Sequence, residues 1–264
     1  MTARRRPSPG RLQVGELPVD RLDMPGALGA ITDLVERSQG GAVFTPNVDH
    51  VVLASENLRF RRAYAAVDLS LADGMPVVWA SHLLRKPVPQ KLSGSDLVAP
   101  LMALAAAKGW RVFLLGGAEG VAARAAVALR RIDARLKVVG TASPRIDLAE
   151  PASYRAHLLD SIYSVAPHLV LVGLGAPKQE LWIHESARAL CPAVLLGVGA
   201  SLDFLAGTAT RAPRWVSASG LEWAYRLGRE PRRLWRRYLG RDWKFFGIMA
   251  RSLLAQRSRE RGPN

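Results

Sequence analysis

Short apolar runs that alternate with helical patterns dominate the first 207 residues of the chain. RVFLLGG (111–117), LVLVGLG (169–175) and VLLGVGA (194–200) are almost wholly apolar and stop at glycines. Shorter runs occur in AVFTPN (42–47) and VDLSLADG (67–74), and KVVGTA (137–142) adds another. Strands that are apolar on both faces and separated by helices predict a parallel sheet covered on both sides. We therefore predict an α/β protein with a doubly wound, Rossmann-like, mostly parallel sheet.

The same pattern divides the chain into three parts. Residues 1–19 are rich in proline, arginine and glycine and are expected to be a flexible N-terminal segment. Residues 20–207 form the predicted α/β catalytic domain. Residues 208–264 lack a strand pattern, hold four of the seven tryptophans and predict a helical appendage.

The net charge of +15 is concentrated in that appendage. Between residues 211 and 264 there are fourteen Lys and Arg against four Asp and Glu. The chain has one cysteine, so it cannot form an intrachain disulfide. No apolar stretch follows the basic N-terminus, and no window approaches the ~18 apolar residues of a membrane-spanning helix. These features predict a cytoplasmic protein that does not span a membrane.

Polar residues follow several predicted strands at the points where the strands end. Ligands of an open parallel sheet bind beyond those carboxyl ends, so these residues are candidate site residues. They are Thr45, Asn47, Asp73, Gln179 and Asp203. Each also has a structural interpretation as a helix cap or a turn residue. Their convergence on one edge favours a site.

The glycines of GGAEG (116–120) suit a phosphate group, because they expose backbone N–H groups before a helix. The segment does not match GxGxxG and is weak evidence for a nucleotide. The following strand, KVVGTASP, has no acidic residue for a ribose, which disfavours a nicotinamide oxidoreductase. There is no DxD pair, and the histidines lack metal-ligand spacing, so neither a metal nor a cofactor is expected.

The chain resembles the WecG/TagA/CpsF family of bacterial glycosyltransferases over roughly residues 20–245. The resemblance rests on these segments: TPNVDH (45–50), LADG (71–74), KLSGSDL (91–97), FLLGG (113–117), GLGAPKQE (173–180), GVGASLDFLAG (197–207), RAPRW (211–215) and GLEWAYRLGREPRRLWRRYL (220–239). It implies a metal-independent, inverting enzyme that moves a sugar from a UDP-sugar to a lipid-diphosphate-linked acceptor. Such enzymes act on the inner face of the cytoplasmic membrane, in the synthesis of surface polysaccharides or wall polymers.

The resemblance also implies roles for individual residues. Asp73 would be the general base on the acceptor hydroxyl. Thr45, Asn47 and Gln179 would line the sugar and acceptor pocket. Lys91 stands where the family commonly has arginine, so it keeps the charge for a phosphate but loses the bidentate geometry.

Other residues near these motifs have less certain roles. Gly116, Gly117 and Gly175 are the candidate backbone contacts of the nucleotide. Asp203 would contact the nucleotide base or cap the following turn. Lys178 and Glu180 rank below Gln179 as site candidates, because they alternate around it and suit surface ion pairs.

Arginines at spacings of three or four form one stripe on the predicted appendage helices: Arg226, Arg229, Arg233 and Arg237. A basic stripe beside tryptophans is suited to an anionic membrane surface, and its first arginines also suit a diphosphate. A solvated basic helix is the plain alternative. Two other functions compete with the transferase. A nucleic-acid binder would leave the strand-end residues unexplained, and an oxidoreductase lacks its ribose ligand.

The donor sugar, the acceptor and the oligomeric state stay open, and a homo-oligomer is one option.

Overall fold

The computed structural model describes residues 10–144, 152–213, 216, 222–229 and 241–260, and a six-stranded parallel sheet forms its centre. The strands of the described residues are β1 (Arg11–Val14), β2 (Leu17–Asp20), β3 (Gly41–Phe44), β4 (Leu69–Ser70), β5 (Arg111–Gly116), β6 (Lys137–Ala142), β7 (Leu169–Gly173) and β8 (Val194–Gly197). The sheet has the order β4-β3-β8-β7-β5-β6, and every neighbouring pair is parallel. The predicted fold class is confirmed.

Helices follow almost every strand of the sheet. The described helices are α1 (Met24–Glu36), α2 (Val48–Glu56), α3 (Leu58–Ala65), α4 (Met75–Leu83), α5 (Gly94–Lys108), α6 (Val121–Ile132), α7 (Ala152–Ser164), α8 (Lys178–Ser186), α9 (Ser201–Leu205), α10 (Glu222–Arg229) and α11 (Lys244–Glu260). Local chemistry sets several of their ends. Asp23 caps α1, and Ser93 forms a reciprocal capping box with Asp96 at the start of α5. Gly109 ends α5 with φ of +67°, a conformation that glycine adopts without strain.

Two apolar clusters cover the two faces of the sheet. Val170 and Val172 of β7 point into one cluster, and Leu169 and Leu171 point into the other. Helices α2, α3, α4, α7, α8 and α11 contribute to the first cluster, and α1, α5, α6 and α9 to the second. Because both faces are buried, the strand sequences are continuously apolar instead of alternating.

The N-terminal segment departs from the sequence prediction. From Arg11 to Asp20 the chain forms an antiparallel hairpin, so the expectation of a flexible segment is wrong for residues 10–19. The hairpin's inward side chains (Leu12, Val14, Leu17 and Val19) are buried in the first cluster. Arg11 donates two hydrogen bonds, of 2.8 and 2.7 Å, to the Asp20 carboxylate, which accepts the Ser70 N–H at 2.8 Å. This buried carboxylate fastens the hairpin to the edge of β4.

The last helix packs on the α/β domain. Phe245, Ile248 and Met249 of α11 are buried in the first cluster. Lys244 Nζ lies 2.5 Å from Glu56 Oε1 at the end of α2. Part of the predicted appendage is thus held against the domain, whereas the boundary at residue 207 stays a prediction. Among the helices that the structure describes, none is long and apolar enough to cross a membrane.

At two places in the sheet, the helices that follow neighbouring strands leave toward opposite faces. After β5 the chain enters α6 on the second cluster, and after β7 it enters α8 on the first. The same divergence separates α2, after β3, from α9, after β8. Such divergence opens a crevice at the carboxyl edge, which is where doubly wound sheets bind ligands.

Candidate active site

The loops after β3 and β4 bring Asp73 next to the Thr45–Asn47 segment. The Asp73 N–H donates to the Pro46 carbonyl at 2.8 Å, and Asp73 is partly buried. Gly74 follows with φ of +95°, and α4 begins at once with Pro76 in its first turn. The short loop therefore holds the Asp73 carboxyl group at the carboxyl edge of the sheet.

Thr45 and Asn47 both make contacts within the protein. The Thr45 hydroxyl is buried and donates a long hydrogen bond, 3.5 Å, to the Gly197 carbonyl at the end of β8. Asn47 caps α2, because its Oδ1 accepts the His50 N–H at 3.3 Å. The capping interpretation is thus correct for Asn47, and its contact with substrate stays a prediction.

A buried polar pair lies beneath these loops and was not identified from the sequence. His50 Nδ1 lies 2.6 Å from the Tyr64 hydroxyl, and the two rings pack with Phe44 and Phe60. The pKa of Tyr64 is well above its ordinary value, first because of burial and then because of the negative charges of Glu180 and Asp73. Two carboxyl groups therefore act on one buried phenol. His50 belongs to the TPNVDH segment, and that motif is the sequence signal from which the pair could have been found.

Gln179 and Glu180, at the start of α8, are both buried. Gln179 is 3% exposed, and its Oε1 accepts the Gly199 N–H at 2.9 Å. Its Nε2 donates to Glu180 Oε1 at 2.8 Å. Glu180 is 0% exposed, so the expected surface ion pair is wrong. Burial raises the pKa of this carboxyl group to about 7, although backbone and Gln179 hydrogen bonds act in the opposite direction.

Lys91 belongs to a cluster of charges around Asp96. Lys91 Nζ lies 2.9 Å from Asp96 Oδ2, and Arg211 pairs with the other carboxylate oxygen. Burial alone would raise the pKa of Asp96, but hydrogen bonds from Lys91, Ser93 and Arg211 and the Lys91 charge lower it to about 2. The Leu92 N–H donates to the Ala72 carbonyl at 2.7 Å, which places this cluster beside the Asp73 loop. Arg211 was not among the predicted residues.

The predicted nucleotide-binding glycines lie where β5 and β7 end side by side. A side chain at Gly116 would overlap the Gly173 carbonyl, and the Gly117 N–H donates to that carbonyl at 2.9 Å. Close packing of two strands is therefore one reason for these glycines. Gly175 has φ of +73° and open space around its Cα. Contact with a nucleotide stays a prediction for all three candidates.

The remaining predicted residues are distributed as follows. Asp203 lies in α9, and its Oδ1 is 3.4 Å from the Thr208 hydroxyl, consistent with the turn-capping alternative. Arg229 lies in α10, where its guanidinium contacts the Tyr225 hydroxyl at 3.2 Å. Arg226 is in the same helix, but its side chain lies outside the described residues, as do Arg233 and Arg237 altogether.

Two surface cavities of the described residues lie away from this edge. One of about 470 Å³ is between α2 and the start of α11. The other, of about 390 Å³, is at the opposite, amino end of the strands, near Arg111 and His168. Neither contains a predicted site residue. Within the described ranges, no three His, Cys, Asp or Glu side chains gather as a metal site would require.

Parallel α/β sheets of this kind bind ligands at the carboxyl edge, which is where these polar groups lie. The sequence model of the glycosyl transferase WecG/TagA/CpsF family matches residues 12–259. The chain belongs to this family and is a glycosyltransferase. It is 33% identical over 209 residues to the N-acetylglucosaminyldiphosphoundecaprenol N-acetyl-beta-D-mannosaminyltransferase of Bacillus spizizenii (strain ATCC 23059 / NRRL B-14472 / W23). That match covers 79% of this chain and 78% of the relative.

Proposed function

We propose that this enzyme transfers an N-acetylhexosamine from a UDP-sugar to a sugar linked through a diphosphate to a polyprenol. The observation that carries the proposal is the position of Asp73. Asp73 is partly buried and follows β4, in a loop whose backbone is hydrogen-bonded to Pro46 and, at Ala72, to Leu92 next to Lys91. A carboxylate beside cations is the combination that a proton acceptor and a departing diphosphate require.

The relative's name supplies the first substrates to test. It describes transfer of N-acetylmannosamine to N-acetylglucosaminyldiphosphoundecaprenol. For this chain we propose the same acceptor class and UDP-N-acetylmannosamine as the first donor, in the synthesis of a wall polymer.

In the proposed reaction, the Asp73 carboxylate accepts the proton of the acceptor hydroxyl as its oxygen attacks the anomeric carbon. The bond from that carbon to UDP breaks on the face opposite the attack, and UDP leaves with the electron pair, so the anomeric configuration inverts. Lys91 and Arg211, both paired with Asp96, neutralise charge on a diphosphate without a divalent metal. Thr45, Asn47 and Gln179 orient the sugars.

The remaining predicted residues complete this proposal. Gly116, Gly117, Gly175 and Asp203 bind the nucleotide on the β5–β7 side of the edge. The basic appendage, with Arg226, Arg229, Arg233 and Arg237, binds the anionic surface that holds the lipid acceptor. In the described part, α11 supports this role, because it exposes Phe246 (76%) and also the cations Lys244 and Arg251. Sedimentation with anionic but not with neutral vesicles tests it.

The experiment measures UDP release from UDP-N-acetylmannosamine with a short-chain N-acetylglucosaminyl diphospholipid, in EDTA. Wild type is compared with Asp73→Asn and with Asp33→Asn, which removes a surface carboxylate from α1. General-base catalysis typically contributes about 10²–10⁴-fold, so we expect Asp73→Asn to lower turnover by that factor. Asp33→Asn is expected to turn over like wild type.

Three results would contradict parts of the proposal. If Asp73→Asn turns over as fast as wild type, Asp73 is not the general base. Activity that appears only after Mg²⁺ is added contradicts the metal-independent mechanism. Acceptor-dependent release from a different UDP-sugar, with none from UDP-N-acetylmannosamine, contradicts the proposed donor.

A further inference from the structure

Glu180 is a buried carboxyl group that no step of the proposed reaction uses. It is 0% exposed, and its Oε2 has no hydrogen-bond partner among the described residues. Its Oε1 accepts a hydrogen bond from the Gln179 side chain, at 2.8 Å, and a backbone hydrogen bond also acts on the carboxyl group. Burying a carboxyl group with so few partners is costly, and apolar replacement of such groups is often neutral or stabilising. Stability therefore does not explain a glutamate here.

The geometry of Gln179 supplies an explanation. A side-chain amide has an oxygen that accepts and a nitrogen that donates, and it can be turned either way around. The Gly199 N–H, 2.9 Å away, needs the amide oxygen. The Glu180 oxygen needs the amide nitrogen. The two contacts together fix the amide in one orientation.

The absence of a side chain at Gly197 makes room for this arrangement. A Cβ there would lie 2.5 Å from Gln179 Nε2. The carbonyl of the same glycine is the acceptor of the Thr45 hydroxyl. The Gln179 amide thus links the start of α8 to the turn after β8. Gly197, at the end of β8 just before that turn, contacts the loop after β3 through Thr45.

We propose that Glu180 is a positioning residue: its carboxyl group orients the Gln179 amide, and through it the turn at Gly199, for substrate binding at the carboxyl edge. The consequence for catalysis rests on the proposed function. The consequence for the Gly199 N–H rests on the geometry alone.

The test compares Glu180→Met with Glu180→Gln. Methionine removes the acceptor with little change in volume, whereas glutamine offers an oxygen at the same position and rescues the contact. Glu185→Gln, on the same helix but ion-paired at the surface with Arg59 and Arg155, is the matched control. Peptide-resolved hydrogen exchange of the folded protein follows the Gly199 amide, and UDP release gives kcat and KM.

We expect Glu180→Met to speed exchange at Gly199 by about tenfold, as for an amide whose hydrogen-bond acceptor is no longer held in place. The same variant should lower kcat by about tenfold to a hundredfold, the range expected when a site group is displaced. Its melting temperature should stay at or above that of wild type, which separates positioning from stability. Glu180→Gln and Glu185→Gln should behave like wild type in both measurements.

Unchanged Gly199 exchange and kcat in Glu180→Met would overturn the proposal. If that variant does not fold, Glu180→Asp replaces it, because the shorter side chain keeps a carboxyl group but withdraws the acceptor. The same outcomes then apply to Glu180→Asp. Faster Gly199 exchange in a protein whose wild type shows no transferase activity would support the positioning and contradict the proposed function instead.

Discussion

The buried Glu180 makes the stability of this protein depend on pH in a direction opposite to that of most carboxylates. Its pKa is raised from 4.5 to about 7, chiefly by burial. Between these values the folded protein keeps a proton that the unfolded chain releases. The free energy of unfolding contributed by this group therefore falls as pH rises from about 4.5 to about 7, and it is constant outside that window. Across this window, the free energy of unfolding contributed by Glu180 falls by about 3 kcal/mol.

Glu180→Gln removes this titration and keeps the shape of the side chain. We expect the stability difference, variant minus wild type, to become about 3 kcal/mol more positive between pH 4 and pH 8. Urea denaturation of both proteins at one-unit intervals measures it, and the subtraction cancels the titration of all other groups. Glu180→Met should give the same pH dependence with a different constant offset. A stability difference that does not vary with pH would refute the argument that burial perturbs this carboxyl group.

Three further predictions concern other parts of the molecule. Asp96→Asn should lower the free energy of unfolding at pH 7 by about 1–2 kcal/mol, allowing for screening at a partly exposed site. In urea titrations, wild type should lose this stability as pH falls from about 4 to about 2, and the variant should not. If the variant loses the same stability over that range, the pKa of Asp96 is not lowered as described. Gly197→Ala should lower kcat for UDP release by about tenfold, because the new Cβ displaces the Gln179 amide, whereas Gly29→Ala, in open space on α1, should not. Leu17→Ala should destabilise the protein by about 2–5 kcal/mol in chemical denaturation; a loss below about 0.5 kcal/mol would mean that the hairpin contributes no core.

Both the hairpin and the burial of Glu180 illustrate what local sequence could not show. Leu12, Val14, Leu17 and Val19 do alternate, but the strands are only four residues long, and isolated two-stranded hairpins are marginally stable. The hairpin is stable because it packs on the core and binds β4 through Asp20. In PKQE the glutamate looks like a surface residue, since Lys178 and Gln179 before it are polar. Only the packing of α8 against α3 and β8 buries it.

The sequence by itself determined the central sheet and its edge. Apolar runs that end at glycines specify strands buried on both faces, and Gly74 with Pro76 starts α4 directly after Asp73. These signals act within a few residues, so propensity and periodicity suffice to detect them.

The tertiary structure decided which charges meet. Asp96 pairs with Arg211, 115 residues away, and Asp49 with Arg241, 192 residues away. Such pairings depend on how whole helices pack on the sheet, and at Asp96 the hydrogen bonds and charge of its partners lower the pKa to about 2 against the effect of burial. A single sequence shows the charged residues, but their partners and their solvation arise only when the chain is folded.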